Sequence, residues 1–155
     1  MVLAFLLAFT GIVDAQQEVV IGDGSGASRY YPFKSDYYFS YSEMLYGAEE
    51  IGMPGTITAI SFRTANPNVF QIEYVLDVYM KNVDRTSFAS VTDWETVSSD
   101  DLVCSTNLNI TQSGWITFTL DTPFEYDGVS SLLIAFDNNF IGFNVDDPIF
   151  DCYKK

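Results

Sequence analysis

The sequence predicts an all-β protein, an antiparallel two-sheet β-sandwich, jelly-roll-like, with about eight strands. Three observations carry that expectation. Residues Ile72–Lys81 (IEYVLDVYMK) put Ile72, Tyr74, Leu76, Val78 and Met80 on one face and Glu73, Val75, Asp77, Tyr79 and Lys81 on the other. A helix would scatter the same five apolar residues around its circumference. Residues Ser131–Asp137 (SLLIAFD) are apolar on both faces, as a central strand requires. Short runs of this kind are separated by turns rich in Gly, Pro, Asn and Asp, with no helical period after the first fifteen residues. An immunoglobulin-like sandwich is the alternative architecture, but the Cys…Trp…Cys spacing is missing.

Residues 1–15 are expected to be a signal peptide. Val2–Val13 (VLAFLLAFTGIV) is too short to span a bilayer, and Val13-Asp14-Ala15 suits cleavage after Ala15. The positive n-region is missing, which suggests a truncated start or a fragment. A buried first strand or helix is the competing reading. Residues 16–145 form the expected module. Glu18–Gly22 reads as a first strand, and Asp23–Ser28 (DGSGAS) as a flexible turn. Ser40–Tyr46 is the next strand, followed by a turn through Gly47–Pro54. Thr56–Thr64 is a strand whose apolar residues switch phase between Ala59 and Ile60, the mark of a bulge or of burial on both sides.

After the Ile72–Lys81 strand comes a long connection, Asn82–Ser99. Its Phe88 and Trp94 are expected to pin it to the sandwich. Leu102–Ile110 turns Leu102, Cys104, Thr106, Leu108 and Ile110 to one face. Gln112-Ser113-Gly114 then reads as a hairpin-like turn. Trp115–Leu120 points Ile116, Phe118 and Leu120 inward, and Thr122–Gly128 reads as a turn around Pro123 and Asp127-Gly128. Phe140–Val145 reads as a start of the eighth strand. Residues 146–155 read as a tail, acidic then basic, that ends unfinished.

Composition excludes several functions. The chain of 155 residues suits one domain with a full core, and 16% of it is aromatic. The net charge is −14, with only seven Lys and Arg, so neither nucleic acid nor an anionic membrane is an expected partner. Membrane insertion of the mature chain is not expected either. Acidity of this kind keeps an extracellular protein soluble, or holds a divalent cation. There is no histidine, which rules out Ser–His and Cys–His catalysis. Gly22–Gly26 (GDGSG) lacks the Lys-Ser/Thr end and the helix of a phosphate loop.

Several pieces together carry a resemblance. They are Val20–Gly24 (VIGDG), Ile51–Phe62 (IGMPGTITAISF), Val78–Lys81 (VYMK), Thr86–Phe88 (TSF), Asp93-Trp94 and Leu120–Gly128 (LDTPFEYDG). In order and spacing they resemble a module of secreted, multidomain surface proteins of Bacteroidetes. Those proteins often carry cleaved-adhesin or fibronectin type III modules and a type IX secretion signal, and some are gingipain- and haemagglutinin-like. The likeness covers roughly residues 18–140. It implies a β-sandwich accessory or adhesin-like module without catalysis of its own and implies no particular ligand. The chain departs from the pattern after residue 145, where no further module or sorting domain follows.

The functional expectation is a non-catalytic secreted or cell-surface binding or adhesion module for a glycan or a host or matrix protein. The alternative is a structural accessory domain of a larger extracellular hydrolase, a protease or a glycosidase. The candidate ligand residues are Tyr30, Tyr31, Tyr37 and Tyr38, because Tyr30–Tyr46 holds more rings than one strand face can bury. Covering the sandwich edge is their structural alternative. No cofactor is expected, apart from a structural calcium among Asp121, Asp127, Asp137, Asp146 and Asp147, which equally suit ordinary turns. A glycosidase would need two carboxylates flanking a cleft, and an acidic chain offers many such pairs. Cys104 and Cys152 form a disulfide in one reading and stay free thiols in the other. Asn109-Ile-Thr111 matches the N-glycosylation acceptor, a match that is common by chance.

Overall fold

The computed structural model describes residues 17–34, 38–66, 73–142 and 148–152. Its strands are β1 (Gly26–Ser28), β2 (Ser40–Tyr46), β3 (Gly55–Asn66), β4 (Glu73–Val83), β5 (Leu102–Asn109), β6 (Gly114–Tyr126), β7 (Ser131–Asn138) and β8 (Ile149–Cys152). A four-residue helix, α1 (Ala48–Ile51), interrupts the turn read between Gly47 and Pro54, and a 3-10 turn spans Ser99–Asp101. Sheet A runs β1-β8-β3-β6 and sheet B runs β2-β7-β4-β5. The pairs β1–β8, β2–β7, β3–β6 and β4–β5 are all antiparallel, so the chain is one nested hairpin. That hairpin is wrapped over two sheets and closed by the β3–β8 and β4–β7 pairs. This is the jelly-roll topology. An immunoglobulin-like sandwich is set aside, because only β4 and β5 are consecutive strands within one sheet.

The core lies between the sheets, where the alternation of β4 placed it. Tyr74, Leu76, Val78 and Met80 are all buried, while Ile72 lies outside the described residues. Opposite alternate positions come Leu132, Ile134 and Phe136 from β7 and Phe118 and Leu120 from β6. Phe136 lies 5.2 Å from Phe118 and 5.5 Å from Phe62, ring centre to ring centre, both edge-on. Phe33 reaches in from the segment before β2 and meets Tyr74 at 5.1 Å and Phe150 of β8 at 5.4 Å. Each such ring pair contributes about 0.5–1.5 kcal/mol beyond its buried area. The phase switch expected in β3 is a register shift between Ile57 and Ala59. There Thr58 of β3 faces Leu120–Pro123 of β6, so Ile57 and Ile60 both point inward.

Several expectations are corrected. Residues 18–22 form no strand, and β1 instead occupies Gly26–Ser28 within the stretch read as a turn. Propensity would not choose Gly-Ala-Ser, but three residues suffice for a protected edge. The close approach of β8 also suits Gly26, where a Cβ would stand 3.1 Å from the Cys152 carbonyl oxygen. The eighth strand lies not in 140–145 but at Ile149–Cys152, inside the expected tail, where it pairs with both β1 and β3. Phe140–Gly142 form no strand, and 143–145 lie outside the described residues. β6 runs on through Pro123 to Tyr126 rather than turning at Thr122. It is the edge strand of sheet A, and Pro123 sits within the irregular stretch, where a missing N–H breaks no ladder. Gln112–Gly114 is not a hairpin, because β5 and β6 lie in different sheets. The expected signal peptide and its cleavage point near Ala15 lie outside the described residues.

The long connection after β4 is also held differently from expectation. Trp94 is 52% exposed, and Phe88 is half-buried beneath the Arg85 guanidinium, 4.7 Å from its ring centre. Charges hold the segment in place. Arg85 pairs with Asp93 and, at 3.5 Å, with Glu95. Lys81 of β4 pairs with Glu95 at 3.2 Å and donates to the Thr96 carbonyl at 2.8 Å. The Asp93 carboxylate also accepts from the Ala89 amide at 2.7 Å, which holds its pKa below the usual range.

Candidate ligand-binding surfaces

The tyrosine-rich segment splits between core and solvent. Pro32 and Phe33 are buried, whereas Tyr30, Tyr31, Tyr38 and Phe39 are exposed. Tyr37 lies outside the described residues. Tyr30 and Tyr31 come together on a surface concavity of about 650 Å³, lined also by Ala27, Ser28, Arg29, Ile149 and Cys152. The Tyr30 amide donates to Ser28 Oγ at 3.0 Å, and the Lys34 ammonium stands 4.9 Å from the Tyr30 ring centre. Tyr38 does not line this concavity. The concavity is mostly apolar, with Arg29 as its one ionic group, and no carboxylate among its lining residues.

A second surface is the outer face of sheet B. Strand register puts Tyr41 of β2, Asp137 of β7, Asp77 of β4 and Ser105 of β5 in one row across all four strands. Ser105 Oγ donates to Asp77 Oδ1 at 2.5 Å, and Asn139 Nδ2 donates to Asp77 Oδ2 at 3.3 Å. The Asp137 carboxyl pKa is raised above the usual range, first by burial and then by the Asp77 charge. The adjacent row holds Glu43, Ala135 and Tyr79. Burial, then the Asp77 and Asp137 charges, push the Tyr79 hydroxyl up as well.

The 84–98 segment covers one half of this face. Glu43 is buried and satisfied: its Oε1 accepts from Tyr41 OH and its Oε2 from the Glu95 amide, each at 2.9 Å. Burial and the hydrogen bond to Glu43 raise the Tyr41 hydroxyl well above the ordinary phenol range. Trp94 stands edge-on to Tyr41 with ring centres 5.3 Å apart. Leu133 and Ala135 point to the outer face yet are fully buried, which explains why β7 reads as apolar on both sides. At the Asp137 end of the face, Asp137 and Asp77 are half-buried and partly reached by water.

The two cysteines are free thiols and do not form the disulfide offered as one reading. Cys104 is buried on β5, the edge strand of sheet B, and Cys152 lies on β8, an inner strand of sheet A. Burial pushes the Cys104 thiol up, so it stays protonated. The described members of the proposed calcium group do not converge. Asp121 accepts from the Ser105 amide, and Asp127 takes up the Val129 and Ser130 amides and the Ser130 hydroxyl. Asp137 faces Asp77 on the outer face of sheet B. Asp146 and Asp147 lie outside the described residues. Among the described residues no group of three or more metal-ligating side chains gathers. Asn109 is exposed at the end of β5.

Sequence reasoning misses the Tyr41–Asp137–Asp77–Ser105 row. The signal is present in β4, whose outer face carries Asp77 and Tyr79 and reads as merely wet. Register between strands distant in sequence is the missing piece, because β7 supplies Asp137 from 60 residues beyond Asp77. No known family's model matches the chain, and no curated protein or solved structure matches it. The likeness to surface modules of Bacteroidetes therefore rests on the sequence pieces alone.

Proposed function

We propose that the chain is a non-catalytic, adhesin-like binding module, secreted or held at the cell surface, with a glycan or a protein surface as its ligand. One observation carries the reading: large rings that the core does not use stand in water. Tyr30, Tyr31, Tyr38, Phe39 and Trp94 are each 48–62% exposed, while the core is closed by other aromatics. Rings held outside a finished core suit recognition, since each offers a flat apolar face and, in Tyr and Trp, a polar handle. The absence of histidine supports a binding role over acid–base chemistry. The jelly roll is a neutral scaffold for this purpose, because fold alone does not choose function. The test is a binding screen of the purified chain against immobilised glycans and matrix proteins, run beside assays for peptide, glycan and ester hydrolysis. Saturable binding without turnover is expected. Turnover at an ordinary enzymatic rate, abolished by Asp77→Asn or Asp137→Asn, would replace this reading with a hydrolytic one.

A further inference from the structure

We infer that the outer face of sheet B is a glycan platform, on which sugar rings stack against Trp94 and Tyr41 while Asp77 and Asp137 hold their hydroxyls. This rests on the binding reading above and narrows both its place and its ligand. Recognition of a sugar needs a flat apolar surface beside a line of hydrogen-bond acceptors. Trp94, 52% exposed, supplies the first, and Tyr41, 37% exposed, stands edge-on beside it as a second ring. The in-register row from Tyr41 through Asp137 and Asp77 to Ser105 supplies the second. With strands about 4.8 Å apart, that row runs roughly 14 Å across the sheet, room for more than one sugar unit.

The parts are held before any ligand arrives. The row sits on four hydrogen-bonded strands, two of them central. The Trp94 segment is tied down at Glu43 and through the Lys81, Arg85, Asp93 and Glu95 charges. Such preorganisation lowers the cost of ordering a site on binding. The row also has a feature that stability does not explain. Two like charges face each other directly across β4 and β7, an arrangement that destabilises a sheet. Among the described residues no lysine or arginine pairs with Asp77 or Asp137, because Lys81 and Arg85 are engaged by Asp93 and Glu95. Carboxylates left without cations are strong acceptors for hydroxyl donors.

The chemistry selects among ligands. Uronic-acid or sulfated chains would meet the Asp77 and Asp137 carboxylates, so a neutral glycan is the expected class. A protein partner is less suited, since an interface core depletes charged side chains and this row centres on two of them. The Tyr30–Tyr31 concavity offers rings but no lining carboxylate to take hydroxyls.

The experiment uses the full chain and immobilised glucan, xylan and mannan, with polygalacturonate as the acidic probe and immobilised matrix proteins as the protein probes. At least one neutral polysaccharide should bind and polygalacturonate should not. Trp94→Ala should weaken that binding about tenfold. Asp77→Asn should weaken it roughly ten- to a hundredfold, through loss of a charged acceptor at unchanged shape. Trp115→Ala, on the outer face of sheet A, should leave it unchanged. A melting curve for each variant confirms folding, and the near-isosteric Asp137→Asn, expected to keep its stability, should weaken binding as Asp77→Asn does. If Tyr30→Ala or Tyr31→Ala abolishes binding while Trp94 and Asp77 variants retain it, the binding reading stands and this site is overturned. Binding to protein ligands alone likewise overturns the site and leaves the binding reading standing. Absence of binding to every probe overturns the site and the binding reading together.

Discussion

The outer faces of the two sheets are built on the same alternation but resolve their cross-strand pairs in opposite ways. On sheet A, Ser61 and Thr117 share a hydrogen bond at 2.9 Å, and Thr56 donates to Glu125 at 2.8 Å. Arg63, beside Trp115 in the register, pairs with Asp151 of β8. Every one of these contacts joins complementary groups, each worth a few tenths of a kcal/mol to about 1. On sheet B, Asp77 faces Asp137, and a buried glutamate anchors a long segment across the neighbouring row. A face that only had to meet water would follow sheet A. The departure of sheet B is where the proposed platform would trade stability for recognition.

The largest expected effect lies beneath these faces. Phe136 is fully buried and touches the rings of Phe33, Phe62 and Phe118. Phe136→Ala should cost about 3–5 kcal/mol in denaturant unfolding. Trp115→Ala, on the outer face of sheet A, should stay within about 0.5 kcal/mol. An equal loss at both positions would break the distinction between core and face. Next comes Glu43, which separates the two outer faces. Glu43→Ala leaves the Tyr41 hydroxyl and the Glu95 amide without their acceptor, a loss of about 1–3 kcal/mol. Amide exchange should rise across 84–98 and leave β4 and β7 protected. Unchanged exchange at Glu95 would show that the ion pairs alone hold the segment.

Much of the fold is legible in the sequence, and the limits have physical causes. The β4 alternation marks the inner face of the sandwich, and SLLIAFD marks a strand covered on both sides. The phase switch in β3 announces its bulge to within two or three residues. β1 and β8 escape sequence reasoning because each is short and owes its form to pairing rather than propensity. Trp94 misleads because a large ring in a long loop suggests burial. Its segment is instead fastened by Arg85, Asp93 and Glu95, whose pairing no period in the sequence reveals. The count of rings in Tyr30–Tyr46 does place Tyr30 and Tyr31 in solvent, but the Tyr41–Asp137–Asp77–Ser105 row depends on registers closed by the wrapped hairpin. Only a three-dimensional arrangement brings those four residues into line.

Trp94 gives the third test of the comparison. A core tryptophan would cost several kcal/mol on truncation, whereas one half in water and edge-on to Tyr41 should cost about 1 kcal/mol. Chemical denaturation of Trp94→Ala measures this directly. A loss as large as that of Phe136→Ala would return Trp94 to the core and remove it from the platform.

The smallest effect has the opposite sign, and it is the sharpest. Asp137 has a raised pKa in the folded protein, from burial first and the Asp77 charge second, with Asn139 partly offsetting them. The groups facing it are Tyr41 on β2 and Asp77 and Tyr79 on β4, and both phenols stay protonated well above neutral pH. The folded state therefore binds the Asp137 proton more tightly than the unfolded chain does. Its ionisation opposes folding, so stability is lost as pH rises through the folded pKa. Below the unfolded value both states are protonated and the penalty vanishes. Asp137→Asn should then stabilise the protein at neutral pH by about 0.2–1 kcal/mol, toward the low end because water screens an open pair. The gain should fade as pH drops below the ordinary carboxylate range, when measured as the difference between the two unfolding curves. On the face of sheet A the equivalent removal of charge, Asp151→Asn, breaks an ion pair with Arg63 and should destabilise slightly instead. Opposite signs at the two faces would confirm that sheet B keeps a carboxylate that folding does not want. A loss of stability in Asp137→Asn at neutral pH would instead make Asp137 a structural residue.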